Sequence, residues 1–334
     1  MPRRSTISRR LATPLARRLA TRLTGPLRIA LVAPLLLLTL AACGNDTGSS
    51  STSGAGLDSV KVEGEVGTSP KVTFNGQVSV TKVESKTLIT GDGAKVAADD
   101  QVLTHLWIGN GYTQQKALDT YEQKKPELVT VNDQVGAVFK DAIEGHTIGS
   151  RVLVAAPAKD AFGDGGNPQL GIGNEDSVII VVDLVSGVLD KAQGTSKDAP
   201  SWTPKIVDKK GVADHLDFTG TPKPAPRLRV APLVQGDGAT VQKGQTIVVN
   251  YLGQVYGGDA PFDSSFSRGQ PASFQIGAGA VIKGWDKALV GRAVGSRVLL
   301  SIPPDLGYGD AGNKDAGIKG TDTLYFVVDI LAVG

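Results

Sequence analysis

"VIKGWDKALVG", residues 281–291, is the stretch in the second half of the chain that carries a helical period. Val281, Trp285, Ala288 and Leu289 fall at i, i+4, i+7 and i+8, on one face of a 3.6-residue repeat. The spacing predicts one or two helical turns with the Trp285 indole pointing inward. On either side the pattern changes. "RLRVAPLV" (227–234), "QTIVVNYLGQVY" (245–256), "ASFQIG" (272–277), "SRVLLSIP" (296–303) and "TLYFVVDILAV" (323–333) are Val- and Ile-rich runs bounded by Gly, Asp and Pro, and they read as strands. Strands around a lone helix predict an α+β domain, a twisted, mostly antiparallel sheet closed over that helix, with Trp285 between the two layers.

The same domain is written twice. "GDGAKV" at Gly91 returns as "GDGATV" at Gly236, and "IGSRVLVAAPAKDAFGDGG" at Ile148 returns as "VGSRVLLSIPPDLGYGDAG" at Val294, at offsets of 145 and 146. "VIIVVDLV" at Val178 is matched by "LYFVVDIL" at Leu324, and "TFNG" at Thr73 by "DFTG" at Asp217. Matched blocks in one order at so long a period indicate a tandem duplication rather than a solenoid. We expect domains at 71–190 and 213–334. The stretch 191–212, within "LDKAQGTSKDAPSWTPK", has the Gly, Pro and polar mixture of a linker.

The N-terminal 42 residues have a different composition. They hold eight Arg and no Lys, Asp or Glu, so the rest of the chain carries 27 basic against 33 acidic residues, a net charge of −6. The whole-chain value of +2 therefore gives no footprint for nucleic acid. Arg pairs precede the apolar run "IALVAPLLLLTLAA" (29–42), as in an export signal, and the run is short for a span of about 20 residues. "LAAC" (40–43) resembles the lipobox of bacterial lipoproteins, which implies that Cys43 is lipidated after removal of 1–42 and holds the protein to the outer face of the cell membrane. Cys43 is the sole Cys, so no disulfide framework is expected. Residues 43–70 open with "GNDTGSSSTSGAG" and read as a flexible tether, with order beginning near Pro70.

Familiar catalytic constellations are missing from the pattern. His105, His146 and His215 stand at no metal-ligand spacing, and no nucleophile elbow or phosphate loop is present. "GAGAVI" at Gly277 begins like a dinucleotide fingerprint, but Ile282 occupies the third glycine position. Neither metal nor cofactor is expected. The second copy instead gathers aromatics at element ends: Tyr251, Phe262, Phe274, Trp285, Tyr308 and Phe326.

"VVNYLG", "FDSSFSRGQPASFQIG", "VIKGW", "VGSRVLLSIPPDLGYGDAG" and "LYFVVDIL", in this order and spacing, resemble the FKBP-type peptidyl-prolyl isomerases across nearly all of residues 225–334. The resemblance implies a shallow pocket for a proline ring. Trp285 would be its floor, and Tyr251, Phe262, Val281, Ile282 and Phe326 its walls. Asp263 and Tyr308 would make polar contacts at the rim, and the Ile282 N–H would donate to a substrate carbonyl. Arg268 would pair with Asp263. A further aromatic of the family falls on Ala272, which opens one wall and weakens the case for macrolide binding relative to proline binding.

In the first copy the repeat puts Leu106, Leu118, Phe139, Phe162 and Ile180 where the second has Tyr251, Phe262, Trp285, Tyr308 and Phe326, with Asp119 retained opposite Asp263. The expectation is a degenerate FKBP-like domain with weak or no activity. The resemblance therefore points to an extracytoplasmic, lipid-anchored isomerase acting on X–Pro bonds of exported or unfolded polypeptides, its activity carried by the second copy. The competing reading is a non-catalytic holdase in which both copies grip extended segments. A third, a purely structural lipoprotein, requires the pocket to be filled by its own side chains.

Overall fold

Two antiparallel sheets in the computed structural model, which describes residues 56–334, follow one strand path twice. The first copy opens on a hairpin, β1 (Val60–Glu63) and β2 (Lys71–Phe74). It continues through β3 (Glu84–Ile89), β4 (Gln101–Asn110), β5 (Lys116–Asp119), β6 (Glu127–Thr130), helix α1 (Ala137–Ile143), β7 (Arg151–Pro157), the one-turn α2 (Ala158–Phe162) and β8 (Ser177–Gly187). The second copy begins with β9 (Thr195–Ser196) and a hairpin of β10 (Lys205–Lys209) and β11 (Val212–Asp217). There follow β12 (Arg229–Gln235), β13 (Thr246–Val255), β14 (Asp263–Ser264), the one-turn α3 (Ser265–Arg268), β15 (Ala272–Gln275), α4 (Lys283–Leu289), β16 (Arg297–Ile302) and β17 (Leu324–Val333).

The first sheet runs β3-β7-β8-β4-β5 with β6 on β4, and the second runs β12-β16-β17-β13-β14 with β15 on β13 and β9 beyond β12. Strand for strand the two paths coincide. Mostly antiparallel sheets with few helices are thus present, as the strand pattern predicted.

Period-two alternation explains how each sheet is sandwiched. In β17, Leu324, Phe326, Val328 and Ile330 face α4 together with Trp285, Ala288 and Leu289. Tyr325 and Val327 point to the other face, where Trp202, Ala213 and Leu216 cover them. In the first copy, Ile180 and Val182 face α1, while Ile179 and Val181 meet Leu57, Val60 and the β1–β2 hairpin. The central strands are buried on both sides, which is why they read as continuous apolar runs.

That covering hairpin corrects two boundaries. Among the described residues a 3-10 turn at Leu57–Ser59 leads into the first strand at Val60, well before Pro70. The stretch 191–212 is not a free linker, because it contains β9, β10 and Trp202, whose side chain is 7% exposed and lies under the Arg229 guanidinium. Alternate residues of each hairpin are charged and face solvent, which gave these segments their polar composition. The structural repeat therefore starts near Leu57 and Trp202, and the β10–β11 hairpin straddles the expected border at 212/213.

The copies touch along a small apolar seam of Leu103, Val185 and Leu189 against Val248, Leu331 and Ala332, with a Leu189 N–H to Leu331 carbonyl bond of 3.0 Å. No helix among the described residues is long and apolar enough to cross a membrane. The export segment and Cys43 lie outside the described residues.

Candidate functional site

Helix α4 carries Trp285 into the second sheet because its neighbour is glycine. A Cβ on Gly284 would lie 2.6 Å from Ile302 Cγ2, so the helix seats on β16 only without a side chain there. Trp285 is 4% exposed and is met edge-to-face by Tyr251, Phe274 and Phe326 at centroid distances of 5.5, 5.3 and 5.4 Å. Phe262 closes on Phe326 in the same manner at 5.6 Å. Each such pair contributes roughly 0.5–1.5 kcal/mol beyond its buried area. The buried indole N–H has no acceptor among the described residues, so packing alone fixes the ring.

These rings line an open cavity of about 630 Å³. Tyr251, Phe262, Asp263, Val281, Ile282, Trp285, Tyr308 and Phe326, all expected from the sequence, line it together. Arg268 does not line it and stands behind Asp263. Phe274 and Lys283 also line the cavity, although the sequence reading gave neither a role. Ala272 is absent from the lining. Phe274, two residues along β15 and so on the same face, supplies an aromatic on that side. Its alternation with Ala272 was the signal that could have found it.

The mouth is shaped by a loop and a polar rim. The Asp286 carboxylate accepts from the Gly277 and Gly279 N–H groups at 2.7 and 2.8 Å, tying the 277–282 loop to the helix it precedes. Both glycines have positive φ, 77° and 79°, a region that side chains rarely adopt. The loop delivers Val281 and Ile282 to the cavity. Among the described residues the Ile282 N–H has no protein acceptor, leaving a donor at the cavity wall.

At the rim, the Tyr251 hydroxyl donates to Asp263, Arg268 Nη1 donates to the other Asp263 oxygen at 2.5 Å, and Arg268 Nη2 donates to the Tyr251 oxygen at 3.1 Å. Burial, then the adjacent carboxylate, pushes the Tyr251 phenol up. Burial works to raise Asp263 as well, but hydrogen bonds from Tyr251 and Arg268 outweigh it and hold the carboxyl below its ordinary range. Tyr308, 37% exposed, also lines the cavity.

The first copy differs in register as well as in chemistry. Asp263 pairs with Gly253 across β13–β14, and the residue paired with the equivalent Ile108 is Leu118. Asp119 instead pairs with Trp107, the place that Ser264 takes opposite Leu252. The expected matches of Asp119 to Asp263 and of Leu118 to Phe262 are therefore each one residue out, and Ala117 takes the place of Phe262. Asp119 is buried and caps the next turn, accepting from the Tyr121 and Glu122 N–H groups, as Ser264 accepts from Ser267. Its carboxylate has the capping role, not the rim role.

An aromatic-walled apolar slot with an unsatisfied backbone donor at Ile282 fits a small ring presented next to a carbonyl. Comparison with known proteins names the class. Residues 238–331 match the family model of the FKBP-type peptidyl-prolyl cis-trans isomerases. An FK506-binding protein of Streptomyces anulatus is 44% identical over 119 residues, covering 36% of this chain and 95% of that protein. FK506-binding protein 2 of Dictyostelium discoideum is 41% identical over 113 residues, 33% of this chain and 84% of that protein. A crystal structure of AtFKBP13 aligns with 36% identity over 32% of this chain and 93% of that one, at a TM-score of 0.30. The chain belongs to the FKBP-type peptidyl-prolyl cis-trans isomerase family. It is an enzyme of the peptidyl-prolyl cis-trans isomerase class.

Proposed function

We propose that the second copy isomerises X–Pro bonds of exported polypeptides while Cys43 holds the protein, by its lipid, at the outer face of the cell membrane. The observation that carries the catalytic reading is the cavity itself: an aromatic-walled slot floored by Trp285, with a donor at Ile282. Rotation about an X–Pro bond is opposed by about 18–20 kcal/mol of amide resonance. The twisted amide loses that conjugation and polarity. A dry apolar slot binds it better than the planar form, and binding that favours the transition state is catalysis. The Ile282 N–H holds the substrate carbonyl while the proline ring is fixed on Trp285. Uncatalysed isomerisation takes tens to hundreds of seconds, which makes prolines in newly exported chains the natural clients.

The first copy we read as a degenerate FKBP-like domain in the same chain. Its Phe139 and Phe162 rings stand 6.3 Å apart among Leu106, Leu118 and Ile180, an apolar surface without hydroxyls. That surface favours a second reading for this copy, a peptide-gripping module without turnover. Macrolide binding at the second copy remains part of the proposal, with Phe274 standing in for the wall aromatic absent at 272.

A protease-coupled X–Pro assay on the lipid-free chain tests the function. Trp285→Ala should lower kcat/KM by about tenfold or more, and Tyr308→Phe by less, with Trp285→Leu separating loss of the slot from loss of fold. An unchanged kcat/KM in all three variants overturns the reading. Intact-mass analysis of membrane-fraction protein tests the anchor, which requires a lipid adduct on Cys43.

A further inference from the structure

Beside the proline slot runs a second cavity of about 440 Å³, and Phe262 and Asp263 line both. Phe262 and Asp263 therefore form a shared wall, and a polypeptide leaving the slot on this side enters the groove within about three residues, at about 3.3–3.6 Å per residue. The far wall of the groove belongs to the covering hairpin, through Asp214 and His215 of β11, and its end to Asp259 in the 257–259 turn.

Both outer walls are held by one side chain. Gln254, 0% exposed, accepts from the Leu216 N–H at 2.8 Å and donates to the Leu216 carbonyl at 2.9 Å and the Gly258 carbonyl at 2.7 Å. One amide thus fixes the hairpin and the turn against the sheet at once. Removing it would leave buried backbone groups without partners, a costly change that makes the groove a built feature. The first copy has Gly109 at this position, where a Cβ would strike the Trp107 ring at 2.5 Å, so it carries no such clamp.

The charge in the groove is one-sided. Arg268 is committed to Asp263, whereas Asp214 has only His215 beside it at 2.9 Å. Neither Asp214 nor Asp259 has a Lys or Arg within 4.0 Å among the described residues. We propose that this groove is a second substrate subsite, which takes a Lys or Arg side chain of the polypeptide within about three residues of the proline. It rests on the isomerase reading and deepens it.

The test compares X–Pro peptides flanked by Lys, Ala or Glu, by kcat/KM in the isomerisation assay and, in parallel, by binding measured through fluorescence anisotropy. Two exposed ion pairs predict a preference for Lys over Glu of about fivefold at low salt. Asp214→Asn with Asp259→Asn should reduce it to within about twofold while the Ala peptide is turned over as before. Asp133→Asn with Glu144→Gln removes the same charge from the first copy and should leave the preference intact. Equal kcat/KM for Lys and Glu peptides, or a preference that survives the Asp214/Asp259 change, overturns the subsite with the isomerase reading standing. If no peptide is isomerised, the isomerase reading falls, and the anisotropy ratio decides the groove: a Lys preference abolished by the double change supports it, and no preference refutes it.

Discussion

The two copies solve one packing problem with opposite choices of size. In the second, Gly284 of α4 sits against Ile302 of β16, and in the first the same places hold Val138 against Ala156. At the cavity, Gly253 lies beneath Phe262 and Phe326, whose rings come within 2.8 Å of where its Cβ would be. The first copy has Ile108 there, beneath Ala117 and Ile180. Side-chain volume has moved from the walls into the floor of the sheet. The core keeps its close packing, as folding requires. A pocket is thus something a fold can lose by exchanging volumes between neighbours, without any change in strand path.

Polar groups on the outer faces give the largest expected difference between the copies. Arg151 and Asp183 are 1% and 0% exposed, and Arg151 also donates to the carbonyls of Gly64, Glu65 and Thr68 in the turn of the covering hairpin. The matching pair, Arg297 with Asp329, leaves Arg297 24% exposed. Arg151→Ala strands a buried carboxylate and should destabilise the first copy by about 3–5 kcal/mol. Arg297→Ala should cost the second copy about half as much, because Arg297 is 24% exposed and water can take its place beside Asp329, which is itself 1% exposed. Urea unfolding followed by fluorescence reads both, in variants of the chain that keep a single Trp, Trp107 for the first copy or Trp285 for the second. Equal losses would mean that the hairpin turn adds nothing to the Arg151 site.

The size exchange makes the next prediction. Gly284→Val drives a side chain into Ile302 and should cost about 1–3 kcal/mol, and Ile302→Ala alone about 2–5 kcal/mol by opening a cavity. Together they recreate the arrangement of the first copy. The double variant should be more stable than the summed single losses by about 1 kcal/mol or more. Simple additivity in the unfolding midpoints would show that the two copies seat their helices differently.

Much of this was legible in the residues. The five runs of the second copy became strands within a residue or two of their expected ends, and Trp285, Ala288 and Leu289 face inward from α4 as expected, whereas Val281, expected on the same helical face, lies in the loop before the helix. What escaped was short or two-faced. α3 is a single turn and shows no period. β14 is two residues long, so whether Leu118 or Asp119 matches Asp263 depends on a one-residue choice that sequence blocks cannot make. The hairpins alternate charged residues with buried ones such as Leu216, and their average composition is that of a linker. Gln254 looks like any polar strand residue until the hairpin is laid over it.

The rim supplies the smallest effect and the most direct contrast in pH. Asp263 has its carboxyl held below the ordinary range, whereas its counterpart Leu118 cannot titrate. A depressed carboxylate stabilises the fold fully above its unfolded value, near 3.9, and loses that contribution as pH falls through the lower folded value. The rim should therefore contribute evenly at pH 5 and above and fade below about pH 4. Its Asp263 and Arg268 side chains are 42% and 50% exposed, so solvent screening limits the effect to a few tenths of a kcal/mol. The difference in thermal midpoint between the chain and Asp263→Asn, followed from pH 7 to pH 3, should shrink only at the acid end. A difference that stays constant over that range would show that Tyr251 and Arg268 gain nothing from the charge on Asp263, and that the rim is held by shape, as it is in the first copy.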